Sequence, residues 1–141
     1  MSSFVVDKRI QNSSFLLGEW TLSSLYLKND ADFPWIILVP RENHVEEIFQ
    51  LSKTNQKQLI AEITALSQLM KTYFEPDKLN VGALGNIVAQ LHIHVVARYK
   101  TDKMWPHGVW QPNSQATAYN PAILDKLLKG LSYEIALLNP K

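Results

Sequence analysis

The chain has 141 residues, of which 46% are hydrophobic and 19% charged, so it fits one domain able to bury a core without disulfides or metal staples. Fourteen Lys and Arg against thirteen Asp and Glu leave a formal charge of +1, which excludes a global field drawing the protein to nucleic acid or an anionic membrane; any anion site must be local. The absence of cysteine excludes disulfides, thiolate nucleophiles and zinc-thiolate sites and suits a reducing compartment. No run of about 18 apolar residues occurs, and the first residues lack an apolar stretch of signal-peptide length. The expectation is a single domain over residues 1–141, cytoplasmic, with neither a membrane nor a nucleic acid as partner.

In chain order, Glu19 to Leu27 is β-prone and reads as a strand. Trp35 to Val39 is continuously apolar, stopped by Pro40, and reads as a central strand. The turn formers between them, from Lys28 to Pro34, join the pair as an antiparallel hairpin with a longer loop that borders a site. From Thr54 to Phe74 the apolar residues recur at three- and four-residue steps, the signature of an amphipathic helix, with Ser52 or Thr54 as cap and Pro76 beyond its end. Its other face, with Gln58, Glu62, Gln68 and Lys71, reads as solvated surface. Val45 to Leu51 adds a short preceding turn of helix.

Lys78 to Val81 predicts a short strand, Gly82 to Asn86 a turn, and the residues up to Arg98 a second strand, a hairpin-like unit. Residues 101–120 are irregular, and Ala122 to Leu137 returns to helical spacing, weakened at Gly130. Strands and helices mix without regular alternation, which argues for an α+β layer of helices on an antiparallel sheet.

Chemistry concentrates in Gln90-Leu-His92-Ile-His94-Val-Val-Ala-Arg98. Period two in an extended strand places Gln90, His92 and His94 in one row, about 6 to 7 Å per step, with Leu91, Ile93 and Val95 turned to a core. By spacing alone the two histidines admit three readings: metal ligands, a nucleophile with an anion-binding partner, or sheet residues without chemistry. The turn Asn80-Val-Gly82-Ala-Leu-Gly85-Asn86 precedes them. Glycines there leave backbone N–H groups open to an anion, although no dinucleotide or P-loop spacing is present. A metal site wants a third ligand, and His44 and His107 sit in segments with no ligand motif.

Gln90-Leu-His92-Ile-His94-Val-Val resembles the histidine triad (HIT) signature, three histidines at alternate positions followed by two apolar residues, with glutamine in the first place. Phe33-Pro-Trp-Ile-Ile-Leu-Val-Pro-Arg41, Lys78 to Asn86 and Met104 to Trp110 are also similar to bacterial HIT-like hydrolases related to the diadenosine polyphosphate hydrolases, with Gly108 departing from a usual proline. The similarity spans roughly Gly18 to Trp110. It implies a HIT-like fold with an antiparallel sheet of about five strands, packed by one long helix and a C-terminal helix.

It further implies a nucleotide hydrolase or nucleotidyl transferase acting at the α-phosphate of nucleoside phosphoramidates or dinucleoside polyphosphates, without cofactor or metal, as a homodimer with its sheets continued across the interface. By the same resemblance His92 is the nucleophile that becomes nucleotidylated, and His94 contacts phosphate and assists the departing group. Asn80, Gly82, Gly85 and Asn86 form the phosphate-binding loop, and Asn29, Asp30 and the Trp35 to Val39 strand lie where ribose and base are held. Gln90 decides the alternative: an amide orients a neighbour but carries no proton near pH 7, so a chain needing a proton there would be a nucleotide-binding protein with weak turnover. A protein binding metal through His92 and His94 is the third reading.

Among the other candidates, Trp20 and Trp35 read as core or dimer contacts, Trp105 and Trp110 are open between core and site, and His44 and His107 read as surface. Arg41 and Arg98 read as solvated strand ends.

Overall fold

The computed structural model describes residues 3–141. A short helix α1 (Lys8–Asn12) leads into β1 (Ser14–Glu19) and β2 (Ser23–Lys28), followed by β3 (Trp35–Pro40), a single 3₁₀ turn at Ile48–Gln50, the long helix α2 (Lys53–Phe74), β4 (Lys78–Gly82), β5 (Ile93–Arg98) and the C-terminal helix α3 (Pro121–Leu137). The strands form one open antiparallel sheet in the order β1-β2-β3-β5-β4, the α+β architecture expected. The fully apolar β3 is its middle strand and is buried on both faces.

The predicted strand at Glu19 to Leu27 is in fact the end of one strand, a turn and the body of the next. Trp20 N–H bonds to the Ser23 carbonyl at 2.8 Å and closes this corner. β1 escapes a pattern reading because its register shifts between Leu16 and Gly18, a bulge that breaks the alternation of inward and outward side chains. A Cβ on Gly18 would sit 3.2 Å from the Ile135 side chain, so the bulged strand admits α3 closely.

Helix α2 is capped by Ser52, whose hydroxyl accepts from Asn55 N–H at 3.1 Å, and ends at Glu75 in the left-handed region with φ of 50°. Its buried stripe is Leu59, Glu62, Leu66 and Met70. Glu62 therefore does not belong to the solvated face. Its Oε2 accepts from the backbone N–H of Leu22 and from Gln58 Nε2, both at 2.8 Å, and so caps the β1–β2 corner where the ladder leaves a donor unpaired. Gly130 allows α3 to pass the end of α2, since a Cβ there would lie 2.3 Å from the Tyr73 hydroxyl.

The sheet separates two apolar clusters. Leu25, Leu27, Ile36, Leu38, Ile93, Val95 and Ala97 face α2 and α3, together with Leu59, Leu66, Leu131 and Ile135. Trp35, Ile37, Val39 and Val96 face the other way, covered by Val6 and Ile10 of the N-terminal segment, by Phe33, and by Val109, Met104 and Trp110 of the irregular stretch, with no long helix among the described residues on this side. No helix among the described residues is long and apolar enough to cross a membrane.

Candidate active site

The regular strand begins at Ile93, so Gln90 and His92 lie in the segment that leads into it, with a bend at Gln90. Alternation holds through this approach all the same: Leu91, Ile93 and Val95 enter the helix-side core, while His92 and His94 emerge on the thinly covered face. Leu91 N–H donates to the Val45 carbonyl at 3.0 Å and fixes the approach in place. The two imidazole rings lie 4.8 Å apart and are 5% and 7% exposed.

Their hydrogen-bond partners assign opposite tautomers. His92 Nδ1 lies 2.7 Å from the Gln90 backbone carbonyl, which only accepts, so Nδ1 carries the proton and, in the neutral ring, Nε2 has the lone pair. His94 Nδ1 lies 2.9 Å from Trp35 Nε1, which only donates, so Nδ1 is the acceptor and Nε2 carries the proton. One imidazole thereby turns an unprotonated Nε2, in its neutral form, beside a neighbour that is a neutral N–H donor. Burial, then the nearness of His92 and of Lys28, pushes the His94 pKa down to about 3, which keeps it neutral.

The Gln90 side chain does not stand in the row with them. Its amide oxygen accepts from Asp7 N–H and its amide nitrogen donates to the Val5 carbonyl, each at 2.9 Å, so it clamps the N-terminal segment as another strand's backbone would. Its influence on His92 runs through its own carbonyl.

Two cavities meet at His92. The larger, of about 710 Å³, is bounded by His94, Trp35, Ile37, Trp110 and Lys28, and the smaller, of about 130 Å³, by Gly85, Asn86, Gln90 and the paired Glu46 and Glu47; Asn86 and His92 border both. Among the described residues the N–H groups of Gly85, Asn86, Ile87 and Val88 find no acceptor within the chain, which leaves them available to an anion. Gly85 is needed for the turn itself, because a Cβ would stand 3.2 Å from the Val88 carbonyl oxygen. Gly82 closes β4 opposite His94, with Trp110 packed beside it.

The remaining expected residues lie elsewhere. Asn80 Oδ1 accepts from Arg98 at 2.8 Å, Asn29 Oδ1 accepts from Tyr119 N–H, and Asp30 Oδ1 accepts from the N–H groups of Asp32 and Thr117, so none of the three borders either cavity. Arg98 is not a solvated strand end: it is 1% exposed, paired through Nε to Asp102 at 2.8 Å, and stacked between Phe33 and Trp105. His44 and His107 are exposed, and Trp20 is core, its indole donating to the Ile135 carbonyl. No group of three or more His, Cys, Asp or Glu suited to a metal ion occurs among the described residues, so a metal there would have the two imidazoles without a third such ligand.

The polar cavity residues that pattern reading missed include Arg9, Ser13 and Lys28 at the end of β2, and it did not foresee the bond from Trp35 to His94. Trp35 had a legible signal, since a strand that alternates toward the helices at Ile36 and Leu38 must send residue 35 to the opposite face.

The family model of the HIT domain matches residues 9–101. Histidine triad proteins of known structure share the whole fold: one from Marinobacter aquaeolei is 36% identical, with 97% of this chain and 99% of that one covered and a TM-score of 0.92. One from Bradyrhizobium japonicum is 34% identical (95% and 99% covered, TM-score 0.90), and one from Sinorhizobium meliloti is 33% identical (93% and 96%, TM-score 0.88). No curated protein matches. With its glutamine-led histidine pair on the central sheet and both the family model and these relatives covering most of its length, the chain belongs to the histidine triad family, a family of nucleotide-binding hydrolases and transferases.

Proposed function

We propose that the protein is a nucleotide hydrolase or nucleotidyl transferase that works through a covalent nucleotidyl-His92. The observation that carries this reading is the opposite tautomerism of the two imidazoles. His92 Nε2 attacks the α-phosphorus, a P–N bond forms as the bond to the departing group breaks, and that group leaves with the electron pair and takes a proton from water. The attached imidazole is then cationic, with its Nδ1–H held by the Gln90 carbonyl. In the second step water adds its oxygen to phosphorus, the P–N bond breaks, and the water's proton is released to solvent. His94 Nε2–H and the open N–H groups of the Gly85 turn donate to the phosphate oxygens. With Nδ1 occupied by the Trp35 indole, His94 serves as a fixed donor and not as a proton shuttle.

The larger cavity has the size and partly aromatic lining suited to a nucleoside, and the smaller one suits the departing group. Glu46 and Glu47 beside the smaller cavity disfavour a polyphosphate and favour an amine, so nucleoside phosphoramidates lead over dinucleoside polyphosphates. We carry the cytoplasmic homodimer as part of this reading; β1 and β4 are the sheet's edge strands within the chain.

Incubation with an adenosine phosphoramidate should release AMP faster than incubation with a diadenosine polyphosphate. His92→Ala should lower the rate about a thousandfold or more while the protein stays folded. Turnover unchanged by that substitution removes His92 as nucleophile. The catalytically weak alternative is favoured instead if nucleotides raise the melting temperature of the wild type and no AMP is released from either substrate.

A further inference from the structure

The site described so far is short of positive charge. His94 is held neutral by the indole donor, His92 must be neutral to attack, and Gln90 is an amide. A phosphate undergoing displacement carries formal negative charge throughout, and a partly dry cavity needs a cation or dense N–H donors to hold it. Two basic residues border the larger cavity, Arg9 and Lys28. Arg9 is already spent: its guanidinium is paired with Asp7 at 2.9 Å and donates to the Ile87 carbonyl at 2.9 Å.

Lys28 differs. It ends β2 next to β3, and its Nζ lies over the Trp35 ring, 5.4 Å from the centroid, while the same indole holds His94. No carboxylate lies within ion-pair distance among the described residues, and the single polar contact is a long one of 3.5 Å to Ser13 Oγ. Asp30, the acidic group whose field reaches it, spends Oδ1 on the backbone N–H groups of Asp32 and Thr117. Burial lowers the lysine's pKa, as expected of a half-buried ammonium without a counterion.

Resting on the nucleotide reading above, we propose that Lys28 is the substrate-phosphate counterion, a catalytic residue that takes the charge a neutral imidazole pair cannot balance. It contacts a non-bridging oxygen from the β2 side of the larger cavity.

The test is calorimetric titration of the wild type, Lys28→Met and Lys28→Arg with AMP, GMP, UMP and CMP and with the four parent nucleosides. For the tightest-binding pair, Lys28→Met should weaken the monophosphate about tenfold or more while leaving its nucleoside within about twofold, and Lys28→Arg should restore most of the loss. Equal weakening of monophosphate and nucleoside would place the ammonium against sugar or base and overturn the proposal, as would an unchanged monophosphate. A wild type that binds none of the eight would overturn the nucleotide reading itself, and this inference with it. Binding of products separates these outcomes without turnover.

Discussion

Ile93, Val95 and Ala97 on one face of β5 pack among the leucines of α2 and α3, whereas His94, Val96 and Arg98 on its other face meet indoles, an amide and a carboxylate. The strand is continuous and buried throughout, so the difference lies in what covers each face. Two long amphipathic helices close the first with apolar surface, at about 25 cal/mol per Å² removed from water. A short N-terminal segment and an irregular stretch cover the second incompletely and leave the cavity. On the first face Glu62 is the polar exception and caps a backbone donor; on the second, polar groups are the rule, and His92, His94 and Arg98 each have a partner that fixes a proton or balances a charge.

The largest effect on stability should come from the second face. Asp102 accepts from Arg98 and from the N–H groups of Tyr99, Met104 and Trp105, and its side chain is 4% exposed. Asp102→Ala leaves a buried guanidinium uncompensated and should cost about 3 to 5 kcal/mol in urea unfolding. A loss below about 1 kcal/mol would mean that the covering stretch adds little, and would return the structural role to the helix side alone.

An intermediate effect, on rate and not on fold, is expected of Trp35→Phe. The substitution keeps the ring and removes the donor that fixes His94, so kcat should fall roughly tenfold to a hundredfold, as when an orienting bond to an active imidazole is lost, with little change in melting temperature. Its signature is in the acid limb of stability. His94 stays neutral in the folded protein down to about 3, while an unfolded histidine titrates near 6.5. Between those values the unfolded chain binds the extra proton, so stability is full above pH of about 6.5 and declines as the pH falls toward about 3. Removing the indole donor lets the folded imidazole accept a proton at Nδ1, and the decline should become shallower. An unchanged limb would show that burial alone holds the tautomer.

The smallest effect should be that of Gln90→His. An imidazole there meets the clamp on Val5 and Asp7 and not the reacting centre, so kcat should change by less than about threefold, with about 1 kcal/mol of stability lost with the two amide bonds. A tenfold gain in rate would restore a proton-relay role to the first triad position and move the N-terminal clamp to other groups.

Much of the fold was legible because its signals are local. Leu59, Leu66 and Met70 recur at helical steps, Ser52 and Pro76 bracket α2, and Leu91, Ile93 and Val95 alternate with the histidines. Alternation also placed His92 and His94 on one face, although β5 starts only at Ile93. Glu62 was misread because a carboxylate on a helix is normally solvated, and the Leu22 donor it caps is 40 residues away. Asn29, Asp30 and Asn80 were expected near substrate from the family resemblance, but their side chains are taken by backbone N–H groups and by Arg98.

The strand periodicity, the two helices, the imidazole pair and the family signature can all be read from the amino-acid order, since they depend on residue types at short, fixed spacings. Which imidazole nitrogen is bonded, that Gln90 is a clamp, and that Lys28 faces the cavity with no acidic partner among the described residues are properties of the tertiary arrangement. Those properties depend on partners distant in the chain, the Trp35 indole 59 residues from His94 and the Val5 carbonyl 85 residues from Gln90, and no local spacing encodes them.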